Sequence, residues 1–417
     1  MPGYFSISRC APMTAALVVS VATLIFVPCV AQARIKLITL PVRERVEIQL
    51  DNPNATLVEE ERIVPLVKGE NQVDFSWANT QIDPDSIVFR VVAPVANQDD
   101  ANSKPPEVKV LSVSYPPNEA ALVWSVGAAD SGSARVRISY VLGNLTKSFN
   151  YRAVASHDEA TLALSEYMRL QNSANEEFGS TGLWAGFGPR FLKPIGNNET
   201  KEMLVEKFDS VPIRKTYTCN PAEYDYLDRA QNKLRVPMHY VLKNDKTDHL
   251  GVAPLEYGKV RIFIEGGGDH KESSTAFLGE DWGQFTPIDD EMKLYLGVAQ
   301  DIVVKRTQEK NERKQISGNL HDEEVVIKYE IENFKDQPVT LDVVEDMRYL
   351  RREAGGGDSD RDVQWQLGSQ TTFDGGPDKE HTTFDRVMFH VKLPARSADG
   401  KAEKSVQKLD VILKNEW

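Results

Sequence analysis

The stretch Arg45-Val46-Glu47-Ile48-Gln49-Leu50-Asp51 decides the fold class. Val46, Ile48 and Leu50 alternate with Glu47, Gln49 and Asp51. Successive side chains of an extended strand point to opposite faces, so this segment buries one face and wets the other. That is the habit of a strand in an antiparallel sheet lying on one side of a core.

The same period of two recurs along the chain. It appears at Val73-Phe75-Trp77, Val136-Ile138-Tyr140, Val260-Ile262-Ile264, Val325-Ile327-Tyr329-Ile331 and Val387-Phe389-Val391. Many short alternating segments separated by turn residues predict an all-β protein built of tandem antiparallel, immunoglobulin-like β-sandwiches with very little helix. The best helical candidate is one short element over Ala222–Lys233. Two polar stretches read as breaks. Residues 97–106 (Asn97 to Pro106) are polar and end in two prolines, the composition of a linker, and Thr307–Asn319 is charged and precedes a fresh run of strands. They divide the chain into 34–96, 107–312 and 313–417, the last near the size of a single sandwich.

Residues 1–33 read as a secretory signal peptide. Arg9 is the only charge, an apolar run of about 15 residues extends from Met13 to Val27, and Ala31-Gln32-Ala33 offers a cleavage site before Arg34. The run is shorter than the roughly 20 residues that span a bilayer. Arg34 and Lys36 follow directly, and positive charge there also suits an uncleaved anchor. Export places the mature chain outside the cytoplasm, periplasmic or secreted. Cys10 and Cys29 leave with the signal, so Cys219 stands alone and no internal disulfide is available; it reads as a buried, inert thiol. The formal charge of −13 repels phosphate backbones and argues against a nucleic-acid partner.

Several segments carry a resemblance. They are Leu57-Val58-Glu59-Glu60-Glu61-Arg62-Ile63-Val64-Pro65-Leu66-Val67-Lys68-Gly69-Glu70-Asn71-Gln72-Val73 with Ile82-Asp83-Pro84-Asp85-Ser86-Ile87, and Leu250-Gly251-Val252-Ala253-Pro254-Leu255-Glu256-Tyr257-Gly258-Lys259-Val260-Arg261 with Phe277-Leu278-Gly279-Glu280-Asp281, Leu294-Tyr295-Leu296-Gly297 and Asn333-Phe334-Lys335-Asp336-Gln337-Pro338-Val339. Together they resemble the bacterial domain-of-unknown-function family shared with mucoidy-inhibitor-type proteins, in its short exported form. Long members insert a coiled coil where this chain has only 97–106. The resemblance implies an exported, all-β protein and no particular activity.

Candidate sites are sparse. Trp184, Phe187, Arg190 and Phe191, with Tyr217, Tyr224 and Tyr226 further on, gather aromatics and an arginine of the kind that line protein interfaces and sugar platforms; core packing accounts for them as well. Asp358, Asp360 and Asp362 alternate as in a calcium loop, but Val363 stands where the sharp turn wants glycine and Ser369 where a bidentate glutamate belongs. Calcium is the one cofactor the sequence raises. Glu280 and Asp281 beside Trp282 invite acid–base chemistry on a sugar, yet neighbours on a strand face opposite ways. Gly266-Gly267-Gly268-Asp269-His270 lacks the spacing and lysine of a phosphate loop and reads as a hairpin turn. The seven histidines, His157, His239, His249, His270, His321, His381 and His390, form no close array, so only tertiary structure brings them together.

Three functions fit these observations: a non-enzymatic envelope protein binding a protein or glycan partner, which leads; a structural or assembly protein; and an enzyme acting on cell-surface polysaccharide. An enzyme requires a concave cleft with converging carboxylates or histidines. Dispersal of Glu280, Asp281 and the 358–362 acids counts against it. Assembly requires a long unprotected edge strand.

Overall fold

The computed structural model describes residues 36–52, 55–95, 106–266, 275–356 and 362–417. The signal segment 1–33 lies outside them, as do Asp358 and Asp360. Within them are 26 strands, one α-helix of seven residues at Met347–Glu353 and two short 3-10 turns. The protein is all-β. The alternating sets named from the sequence turn their apolar members to the core: all are buried except Trp77 and Ile264, which are partly buried and pack against the first core. Among the described residues no helix is long and apolar enough to cross a membrane.

Ala222–Lys233 is not helical. It folds as a turn, the strand Tyr226–Asp228 and a 3-10 turn Arg229–Gln231 that ends at Asn232 in the left-handed region, φ 54°. Asp228 caps that turn by accepting from the backbone N–H of Ala230 and Gln231, a local bond that competes with helix continuation. The single α-helix begins instead at Asp346, whose carboxylate accepts from Tyr349 N–H.

The strands form five sheets. Pairing is antiparallel except at four places, where strands distant in sequence run side by side in parallel, as Gly258–Glu265 does with Leu145–Ala155. Two hydrophobic cores result. The first runs from Ile38 to Leu294 and the second from Tyr217 to Leu413.

This arrangement corrects the expected domain boundaries. Thr56–Leu66 pairs along its whole length with Gly132–Leu142, and Gly69–Ser76 pairs with Ala121–Ala128. Residues on both sides of 97–106 therefore share one core, so that stretch connects strands and does not separate domains. Thr307–Asn319 is likewise no linker. It is most of the strand Ile302–Ser317, which turns at Gly318, φ 57°, into Leu320–Asn333. It looks polar because both its faces are wet, with Lys310 paired to Glu312 and Glu324 and Arg313 to Glu323.

One sheet positions the site. Its order is Glu291–Val298, Pro237–Lys243, Arg214–Cys219, Val339–Asp346 and Arg386–Leu393. Tyr217, Cys219, Leu341, Val343, Val387 and Phe389 point into the second core, while Tyr240, Leu242, Met292 and Leu294 belong to the first. The sheet is common to both bodies. Its opposite face is open.

Candidate functional site

The open face is lined by the residues that alternate with those core positions. Thr216 and Thr218 lie on the central strand, His239 and Val241 on one side, and Asp342, Val344, Met388 and His390 on the other. Asn220, Glu223 and Tyr224, from the turn after the central strand, form one wall. The segment between Gln364–Leu367 and Arg386–Leu393 supplies the other through Asp378 and His381. The cleft measures about 480 Å³. Two further cavities, of about 430 and 620 Å³, adjoin it, and His390 lines all three. The whole is an extended groove.

Four side chains in it form a continuous chain of hydrogen bonds. His390 sits directly across from Asp342 on the neighbouring strand. Its Nδ1 lies 2.7 Å from Asp342 Oδ1 and its Nε2 lies 2.8 Å from Asp378 Oδ2. The same Asp378 oxygen is 2.8 Å from His381 Nδ1. Asp378 Oδ1 accepts from the backbone N–H groups of Glu380 and His381, at 2.8 and 3.3 Å. An ionised carboxylate only accepts, so two such partners suit the doubly protonated imidazolium form of His390. Burial alone draws its pKa down; the bonds to Asp342 and Asp378 and their charges outweigh that and leave it above the ordinary 6.5. The bond from His381, the Glu380 amide and His390 together hold the Asp378 carboxyl far below the usual carboxylate range.

The rim is aromatic. Tyr224 lines the cleft, and burial together with Glu223 raises its hydroxyl to about 12. Tyr295, an exposed residue, lies against the His239 ring with centroids 5.6 Å apart. Burial and then the charge of Lys293 lower the pKa of His239. Asp281 Oδ2 accepts from Tyr295 N–H at 2.7 Å. Trp282, one residue further on, stacks on Tyr257 at 5.3 Å with planes 6° apart, both rings about half exposed and neither lining the cleft. Lys293 and Arg386 also line the cleft, and neither pairs with a carboxylate among the described residues.

The residues singled out from sequence are distributed differently. Phe187 and Phe191 pack against the first core, Phe187 stacked on Phe149. Trp184 ends a strand half-buried, and Arg190 reaches Glu47 on the exposed side of that sheet. Tyr217 is a second-core residue; Tyr226 packs beside that core and its hydroxyl accepts from Arg306 Nη1 at 3.2 Å. Of this aromatic set, Tyr224 lines the main cleft and Tyr217 the adjoining cavity of about 430 Å³. Asp362 is exposed, 3.8 Å from Arg348; no group of three His, Cys, Asp or Glu able to hold a metal occurs among the described residues. Glu280 pairs with Lys259 at 2.7 Å while Asp281 turns to the Tyr295 backbone, so the two acids diverge. Cys219 is fully buried, and burial pushes its thiol pKa up strongly. The tip of the Gly258–Glu265 and Thr275–Gly283 hairpin, which includes His270, lies outside the described residues.

Asp342, Asp378, His239, His381 and His390 were not separable from the rest by sequence. Two weak signals existed. Asp378 followed by His381 three positions on fits an Asx-type turn, and His390 occupies the outward position between Phe389 and Val391. Neither signal says that the two meet. The fold and groove thus define an all-β protein of fused sandwich bodies with a polar, aromatic-rimmed groove. Neither a scan against protein-family models nor a search of curated proteins finds a match for this chain.

Proposed function

We propose that this is an extracytoplasmic cell-envelope protein that binds a glycan chain in the groove. The observation that carries the reading is the polar floor of threonine, aspartate and histidine, with Tyr224 on its wall and Tyr295 against His239. Sugars present hydroxyls to such a floor and apolar ring faces to such aromatics. The adjoining cavities suit an extended ligand over a small compact one. The export signal and the resemblance to an exported bacterial β family support the location. Binding of neutral and uronic oligosaccharides on a glycan array, followed by calorimetry, tests the reading. Tyr224→Ala is expected to weaken affinity about fivefold, the equivalent of roughly 1 kcal/mol for a lost aromatic contact. An array on which no glycan is retained sinks it, and a protein recovered alone from the native envelope replaces glycan by protein as the partner.

Assembly is the second reading, supported by the edge strand Val108–Ser114. It is exposed over nearly its whole length and carries Val110, Leu111 and Val113 in the open. Concentration-dependent sedimentation that Leu111→Lys abolishes would favour it. An enzymatic reading loses Glu280 and Asp281, which diverge, and finds support only in the histidines of the groove.

A further inference from the structure

We infer that the groove hydrolyses an O-acyl ester carried by its ligand, with His381 as general base and water as nucleophile. The chemistry follows from the His381–Asp378–His390–Asp342 chain. Because Asp378 can only accept, the neutral His381 ring is held as the tautomer with its proton on Nδ1. The lone pair is then on Nε2, which has no partner among the described residues, on a half-exposed side chain lining the cleft. A base oriented by a carboxylate, with its free nitrogen in a cavity, is the arrangement general-base catalysis needs. His390 has both nitrogens engaged and cannot act as a base; it is a positioning residue that fixes Asp378.

Arg386 supplies the second element. The wall folds back on its own strand, with Asp378 N–H donating to Met388 O at 2.8 Å and Thr383 N–H to Arg386 O at 2.9 Å. Arg386 thereby faces the same cleft as His381, with its guanidinium not ion-paired among the described residues. Of the cleft's two cations without a carboxylate partner among the described residues, Arg386 and Lys293, it is the one on the strand that the wall folds back on, and so the one assigned to a developing oxyanion.

Of the two cleft carboxylates outside the hydrogen-bonded chain, Glu291 pairs with Arg214 and Glu223 accepts from Asn220; the carboxylates within it do not suit glycoside cleavage. That reaction needs a protonated acid with a raised pKa, whereas Asp378 is held ionised and Asp342 is committed to His390. Cys219, the one cysteine among the described residues, faces the opposite side of the sheet. In the step itself His381 Nε2 takes a proton from water as the water oxygen bonds to the acyl carbon. The carbonyl electron pair moves onto oxygen beside Arg386. Collapse restores the carbonyl and breaks the ester C–O bond, and the departing alkoxide takes the proton back from His381. Water and ester give acid and alcohol, with no other reactant.

The substrate class rests on the glycan reading; the base does not. The test incubates the full chain with an acetylated cello-oligosaccharide and with p-nitrophenyl acetate, following acetate by NMR. A p-nitrophenyl glucoside and bis(p-nitrophenyl) phosphate run alongside. Acetate release from the sugar is expected, with His381→Gln at least about 100-fold slower. Asp378→Asn is expected to lower kcat and displace the pH profile, while both variants keep the wild-type melting temperature within a few degrees. If a variant unfolds, Arg386→Gln takes its place. No acetate release by the wild type, release that persists in folded His381→Gln, or cleavage of the glucoside alone overturns the inference. Calorimetric binding of the deacetylated oligosaccharide without ester hydrolysis leaves the glycan reading standing and removes only the hydrolysis; absence of both removes the two together.

Discussion

Glu166 shows how a single residue carries a pH dependence. It lies across from Tyr151 on the paired strand, 3 % exposed, with Tyr151 Oη 2.9 Å from Oε1. The Tyr151 hydroxyl has one proton and also lies 2.8 Å from Glu256 O, so a protonated Glu166 satisfies both contacts. Burial, only partly offset by the Tyr151 bond, raises its pKa to about 7. The unfolded carboxyl ionises near the ordinary 4.5, so stability falls as pH rises from there to about 7 and is flat above. Glu166→Gln should therefore match the wild type at pH 4 and exceed it by up to about 3 kcal/mol at pH 8, read from urea unfolding; an unchanged difference at both pH values counts against it. The groove behaves oppositely. His390, raised above 6.5, contributes fully below that pH and loses its contribution as pH rises through the higher value. Asp378, depressed below 3.8, contributes above that pH and loses it in acid. Amide protection factors over 378–383, corrected for the base-catalysed intrinsic exchange rate, should be highest near pH 5 and lower at pH 8, and His390→Gln should erase the difference.

At the scale of elements, close approach of strands sets what the sequence tolerates. Gly258 opens the strand that runs parallel to Leu145–Ala155, facing Phe149. A Cβ there would stand 2.4 Å from Phe149 O, a backbone atom that cannot turn aside. Gly258→Ala should cost about 1–3 kcal/mol through forced separation of the pair, with the loss visible as a lower melting temperature; an unchanged melt would mean that the strands part without penalty. The glycine was within a segment that carries the family resemblance, yet nothing local marked it as a parallel contact. The wall of the groove is similar. Asp378 and His381 were a plausible turn, and His390 a plausible outward strand position, each legible alone. Their convergence depends on the antiparallel register that sets His390 opposite Asp342.

For the molecule as a whole, the shared sheet determines what can fold by itself. The segment 313–417 has the length of a sandwich, but its core also uses Tyr217, Cys219, Leu234, Val236, Ile302 and Val304. Expressed alone, this fragment should lack cooperative unfolding and dispersed amide resonances. A well-dispersed spectrum would show that the second body closes without those strands. The sequence by itself determined that the chain is all-β and which side of each strand is buried, because the period-two pattern is a local consequence of backbone geometry and burial. Tertiary structure alone decided where bodies begin and end and which polar residues meet. Those outcomes depend on pairings between strands far apart in sequence, four of them parallel, and a strand's alternation records which face is dry but not which strand lies beside it.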